Sequence, residues 1–173
     1  MTTKQLKDLP DDILSLFDPK VTHEPDEENL EKFVNNLKET LRIRLAERED
    51  VRDPLRFSSL GQPDRKVWYM ANSKKGPEDL TAKTYLKFLY GDVIEQLVLF
   101  LTREAGHTVE REQEEIDVDG VLGHIDAIVD GVLVDVKSAS PYGYKKFKYN
   151  SVVEDDPFGY TQQLAGYSSV LTI

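Results

Sequence analysis

Asp126, Asp135 and Lys137 are the residues of this chain whose types and spacing point most directly to chemistry. They lie in Gly123-His124-Ile125-Asp126 and Asp135-Val136-Lys137, two β-prone runs joined through Asp130-Gly131. An Asp-Gly pair between such runs predicts a two-residue hairpin turn, because glycine tolerates positive φ. A turn centred between residues 130 and 131 sets 126 opposite 135, which makes the two carboxylates cross-strand neighbours at ~5 Å. Asp135 and Lys137 are two positions apart and project from one face. Like charges this close repel, so the pair either shifts its pKa or holds a cation. With oxygen ligands and no cysteine in the chain, the cation expected is Mg²⁺ or Mn²⁺, and Lys137 could hold or help to deprotonate a metal-activated water. The competing reading is a solvent-facing Asp–Lys pair on an exposed hairpin.

Further residues tilt the balance towards a site. Glu95 sits in Val93-Ile94-Glu95-Gln96-Leu97-Val98, where a carboxylate on or beside a buried stripe costs free energy unless it is paired or bound to metal. It is the expected third ligand. Gln163 and Tyr167 are four apart and share a helix face, offering an amide and a phenol towards one target. Between Ser138 and Asn150 there are Lys145, Lys146 and Lys148 with no acidic residue, interleaved with Tyr142, Tyr144, Phe147 and Tyr149. Lysines there can meet phosphates while the rings stack on unpaired bases. Arg65 is a further candidate for phosphate, and His107 and His23 read as structural or exposed.

The elements that must position these groups follow from periodicity. Residues 1–26 predict a short helical piece around Asp11 to Phe17 and then a loop. From Asp26, a capping residue followed by Glu27 and Glu28, a helix is expected to run to about Glu49 with Leu30, Phe33, Val34, Leu37, Leu41 and Leu45 on its apolar side. Residues 55–77 read as a connector with a short helix at about Arg65 to Met70. A second long helix is expected from Glu78 to about Glu104, its apolar side carrying Leu80, Tyr85, Leu86, Leu89, Val93, Ile94, Leu97, Val98 and Leu101, with Ala105-Gly106 as its stop. Then come strands over His107–Asp117, Val121–Val129 and Val132–Lys137, punctuated by Asp119-Gly120 and Asp130-Gly131, which predict a three-stranded antiparallel meander. Residues 138–157 read as a long polar connection and Phe158 to about Leu171 as a last helix.

Composition bounds the rest. A chain of 173 residues with 39% hydrophobic residues fits one globular domain with a core of its own. The absence of cysteine excludes disulfides, thiolate zinc sites, iron–sulfur clusters and cysteine nucleophiles, and is compatible with the cytoplasm. The most apolar stretch, Val93 to Leu101, is too short for a membrane span, and the N-terminus lacks the apolar run of a signal peptide. The 22 Lys and Arg against 32 Asp and Glu give a net charge of −10, which argues against a uniformly basic coat for nucleic acid. It leaves room for clustered carboxylates beside a local basic strip.

In this order the pieces resemble the PD-(D/E)XK nuclease superfamily, and within it the RecB-like, phage-type exonucleases with a trailing Gln-x-x-x-Tyr motif. The resemblance runs through Ser58-Ser59-Leu60-Gly61, Pro63-x-Arg65, Gly91-Asp92-x-x-Glu95, Gly123-His124-x-Asp126, Asp135-Val136-Lys137 and Gln163-x-x-x-Tyr167. It implies an α/β fold, α+β by stricter sorting, with a restriction-endonuclease-like core over residues 55–173 behind an N-terminal helical region over 1–54. It also implies Glu95, Asp126, Asp135 and the Val136 carbonyl as ligands of Mg²⁺ or Mn²⁺, Lys137 as the residue that positions water, and Gln163 and Tyr167 as contacts to DNA or to the metal site. His124 is left between direct participation and a supporting or packing role. Two departures stand out. The four-cysteine iron–sulfur cluster of many relatives is absent, and the chain ends at Ile173 where relatives continue into further strands. The expectation from the second is a fragment, a truncated product or half of a split enzyme that associates with another copy or another chain. The function implied is a metal-dependent DNA nuclease of the host or phage-infected cytoplasm. The alternatives are a catalytically silent DNA-binding or interaction module and a structure-specific endonuclease of junction-resolvase type.

Overall fold

The computed structural model describes residues 4–46, 56–72, 81–154, 156 and 158–171. Its elements in chain order are α1 (Leu9–Ser15), α2 (Glu27–Leu45), α3 (Asp64–Asn72), α4 (Ala82–Glu104), β1 (Val109–Glu110), β2 (Glu115–Val118), β3 (Val121–His124), β4 (Ala127–Val129), β5 (Val132–Val134), α5 (Pro141–Lys148) and α6 (Tyr160–Leu171). This is a mixed fold of helices and antiparallel sheet. The expected end of the first long helix at Glu49, and the expected start of the second at Glu78 with Leu80, lie outside the described residues.

Local chemistry explains the helix starts. The Asp26 side chain accepts from the Asn29 N–H ahead of α2, and the Thr81 side chain accepts from the Thr84 N–H ahead of α4, each satisfying one of the donors a helix leaves open at its first turn. α2 and α4 pack together through Phe33 on Phe100, with centroids 5.0 Å apart. Buried Asn29 reinforces the pair: its amide donates to the Phe100 carbonyl at 3.3 Å and to the Glu104 carboxylate, and it accepts from Arg103 Nε at 2.5 Å.

The expected buried side of α4 is corrected. Leu86, Ile94 and Leu97 are exposed, and the buried positions are Gln96, Leu99 and Thr102. α4 is apolar over much of its circumference, so periodicity alone did not select the face that meets the sheet. Likewise Val34, Leu41 and Leu45 of the expected α2 stripe are exposed.

The three-stranded meander is also corrected. The strands fall into two sheets, one ordered β1-β4-β5 and the other the hairpin β2-β3. Both Asp-Gly turns form as expected, with φ of 52° and 83° at Asp119 and Gly120, and 50° and 79° at Asp130 and Gly131. Between β1 and β2 the chain passes through left-handed conformations at Arg111 (φ 53°) and Gln113 (φ 51°). The pairing Glu115 with His124 and the pairing Val109 with Val129 consequently differ by one residue in register. An extra residue in one strand ends a ladder and bends it, which a period-two pattern in the sequence does not reveal.

The polar connection over 138–157 likewise contains a helix, α5. Ser140 caps it, accepting from the Gly143 N–H at 3.2 Å, and Pro141 takes its first position, where the missing N–H carries no penalty.

The chain divides into two compact units interleaved in sequence: Met1–Arg48, Thr81–Glu112 and Asp126–Ser138 in one, Glu49–Leu80, Gln113–Ile125 and Ala139–Ile173 in the other. The core of the first is Leu99, Ala127 and Val129, with Leu6, Val109 and Val134 packed against them. In the second, Phe57 stacks on Tyr167 with centroids 4.8 Å apart and planes 10° from parallel. Gly123 makes this possible: a Cβ there would stand 2.6 Å from both Phe57 Cβ and the Tyr167 hydroxyl.

Candidate functional site

The hairpin β4–β5 sets the geometry of the first unit's acidic pair. Its ladder runs from Val129 opposite Val132 to Ala127 opposite Val134. One step further along the same register lie Asp126 and Asp135, where the strands leave the ladder. The Asp126 carboxylate accepts from the Val136 N–H at 2.6 Å, and Lys137 Nζ meets Asp135 Oδ1 at 2.6 Å. Burial pushes the Asp126 carboxyl above its ordinary value of 3.8, and the Asp135 charge adds to the rise against the opposing pull of the Val136 N–H and Lys137. The three residues singled out from the sequence therefore stand together, two carboxylates and an ammonium on one segment.

Glu95 lies on α4, half-buried. Two neighbours on the same helix face fix where that face goes. Leu99, one turn on, packs on Ala127 and Val129. Gly91, one turn back, stands so close to the end of the Lys137 segment that a Cβ there would be 3.7 Å from Ser138 Oγ. Glu95 is between them on the face turned to β4 and the residues after β5. Among the described residues no group of three or more His, Asp or Glu side chains is gathered closely enough to hold a metal ion, so Glu95 is not drawn with Asp126 and Asp135 into a ready three-carboxylate cluster. Asp92 is engaged elsewhere, gripped by Arg44 of α2 through Nε at 2.5 Å and a second nitrogen at 2.8 Å.

The donor set nonetheless suits a divalent cation. Two acidic side chains occupy neighbouring positions, one buried enough to resist ionisation, and a cation between them would offset both the burial and the repulsion.

In the second unit, Gln163 and Tyr167 line a cavity of about 330 Å³ together with Arg56, Ser58, Glu115 and His124. The Tyr167 ring is only 2% exposed, so much of that residue is core. His124 Nε2 lies 3.5 Å from Glu115 Oε2, both side chains more than half exposed; its partner is on β2, while Asp126 belongs to the other unit. Arg56 and Glu115 were not singled out from the sequence. Their only signal was the cross-strand register that sets Glu115 against His124, and the isolated bridge from Arg56 to Leu122 had none.

Lys145, Lys146 and Lys148 lie in the last turn of α5, where positive charge also complements the carbonyl end of the helix. Arg65 lies on α3, its guanidinium over the Tyr69 ring at 5.8 Å. His107 is structural: only 4% exposed, it sits between Asp130 (Nδ1 to Oδ2, 2.6 Å) and Asp12 (Nε2 to Oδ2, 3.1 Å). His23 pairs with Glu104 at 2.7 Å.

No helix among the described residues is long and apolar enough to cross a membrane. Comparison of the chain with protein-family models, with curated proteins and with solved structures gives no match.

Proposed function

We propose that this protein is a metal-dependent deoxyribonuclease, an exonuclease of the phage type acting in the cytoplasm, built on a restriction-endonuclease-like core. One observation carries the reading: Asp126 and Asp135 are adjacent at the open end of a hairpin, with Lys137 bound to Asp135 at 2.6 Å and Asp126 buried against its own ionisation. Asp126, Asp135 and the Val136 carbonyl would hold Mg²⁺ or Mn²⁺, with Glu95 on the facing helix as a further carboxylate. A bound divalent ion supplies polarisation of the scissile phosphate and a water of lowered pKa. The chain's own part is positional. The Val136 N–H fixes one Asp126 oxygen, and the Asp135 carboxylate holds the Lys137 ammonium where it can orient a water and receive or stabilise its proton. The products expected on the family pattern are a free 3′-hydroxyl and a 5′-phosphate.

The test is digestion of linear DNA by the purified chain with Mg²⁺ or Mn²⁺ and with EDTA, beside Asp126→Asn and Lys137→Ala variants whose circular dichroism matches the wild type. Cleavage that needs the metal and both side chains supports the reading; cleavage that survives in Asp126→Asn or in EDTA refutes it. Closed circular or branched DNA separates an exonuclease from a junction-type endonuclease. A second reading, a DNA-binding module without catalysis, is favoured by a single observation: no third carboxylate completes the group among the described residues. DNA binding without cleavage in any divalent metal would establish it.

A further inference from the structure

The connection after Lys137 is the one place where this acidic protein turns basic. Residues 138–153 carry three lysines and no acid, in a chain of net charge −10. Ser138-Ala139-Ser140 alone separates Lys137 from α5 in sequence. Because this stretch is helical, its side chains are sorted. Tyr142, Lys145, Lys146 and Tyr149 recur at three- and four-residue spacing and share a stripe. The two tyrosines stand 72% and 71% exposed, and the Lys146 ammonium lies over the Tyr142 ring at 5.3 Å. At 1.5 Å per residue the stripe is about 10 Å long, a length that a few nucleotides of a single strand can follow. The neighbouring stripe is tied down: Phe147 stacks on Tyr160 at 6.1 Å, and Phe158 on the same ring at 5.4 Å. The aromatic platform thus rests on α6 inside one compact unit.

Helix-end electrostatics account for the lysines but not for two tyrosines held in water beside them. Exposed aromatic surface at this density marks a contact face. The complementary partner must bring negative charge and flat apolar faces at once. Unpaired nucleotides do both; in a duplex the base faces are already stacked on one another, leaving phosphates for the lysines and nothing for the rings. We propose that the Tyr142–Tyr149 stripe of α5 is a binding platform for single-stranded nucleic acid, with Lys145 and Lys146 on phosphates and the two tyrosines on bases. The inference takes from the nuclease reading only the class of substrate, and it makes the preferred substrate a single-stranded end.

The experiment is fluorescence anisotropy of the whole protein with a labelled 20-mer of thymidylate and with a hairpin duplex of matched length, in EDTA at low salt. Tighter binding of the single strand by tenfold or more is expected. Tyr142→Ala and Tyr149→Ala should each weaken it roughly tenfold without altering the circular dichroism, since both side chains are exposed. Replacing Lys145, Lys146 and Lys148 together by glutamine should flatten the salt dependence by about two units of log–log slope. Equal affinity for duplex overturns the proposal, as do tyrosine variants that bind like wild type while the lysine variant fails, which would make the face merely electrostatic. Comparable binding to phosphatidylserine vesicles, abolished by the tyrosine changes, would overturn it in favour of a membrane surface. Because binding is read without metal, its failure is distinct from that of the nuclease: a protein that binds thymidylate and cuts nothing sinks only the catalytic reading, and one that cuts duplex yet ignores thymidylate sinks only this one.

Discussion

Replacing Asp130 by asparagine tests how the β4–β5 hairpin, and with it the alignment of Asp126 and Asp135, is held. Asp130 occupies the first turn position at φ 50°, a conformation asparagine tolerates as well as aspartate. Its carboxylate accepts from the Thr108 N–H at 3.1 Å, the Thr108 hydroxyl at 3.2 Å and His107 Nδ1 at 2.6 Å. An asparagine oxygen can keep the Thr108 N–H. What disappears is the charge facing a buried imidazole. Hydrogen bonds to charged groups contribute about 1.5–3 kcal/mol against about 1 for neutral ones, so the loss is about 1–2 kcal/mol. For a chain of this length that corresponds to a fall of about 2–8 °C in Tm.

The pH dependence fixes the origin. Burial alone would raise the Asp130 carboxyl, but the His107 and Thr108 hydrogen bonds outweigh it and hold the group below its ordinary 3.8. A lowered carboxylate stabilises above the unfolded-state value and loses that contribution as pH falls through the folded one. The gap between wild type and Asp130→Asn should therefore be full at pH 7 and narrow as pH drops below 3.8. Thermal unfolding followed by circular dichroism, on freshly prepared protein because an Asn-Gly pair deamidates back towards aspartate, gives the measurement. A gap under 1 °C at pH 7, or one that stays constant to pH 3, would refute the reasoning.

Other outcomes follow from the same geometry. Leu99→Ala, at a side chain 1% exposed against Ala127 and Val129, should cost about 2–5 kcal/mol in denaturant unfolding. Gly123→Ala should destabilise by about 1–3 kcal/mol through overpacking on Phe57 and Tyr167, and the Phe57→Ala double variant should recover none of the wild-type near-ultraviolet signal if the stacked pair is its source. Mn²⁺ should raise the Tm of the wild type and leave that of Asp126→Asn unchanged; equal shifts in both would place the ion elsewhere. Lys137→Ala should lose cleavage with its Tm within about 2 °C of wild type, because the side chain is largely in water and makes little packing.

What the sequence determined by itself was local. The two Asp-Gly turns, the capped start of α2, the short helix within the connector and the last helix all rest on interactions within a few residues, so composition and spacing sufficed. The cross-strand relation of Asp126 to Asp135 was legible for the same reason, since a two-residue turn dictates the register of its own hairpin. Tertiary structure decided the rest. Which face of α4 is buried depended on where β4 lies, and it selected Leu99 and Thr102 over Leu86 and Ile94. The break that divides the expected meander arises from left-handed backbone at Arg111 and Gln113, two residue types that carry no turn signal. His107 became a buried link between Asp12 and Asp130, residues far apart in the chain whose meeting no spacing encodes. Arg56 and Glu115 reached the cavity of Gln163 and Tyr167 in the same way. Groups joined by a turn are fixed by the energetics of that turn, whereas groups joined by folding are fixed by the packing of elements distant in sequence.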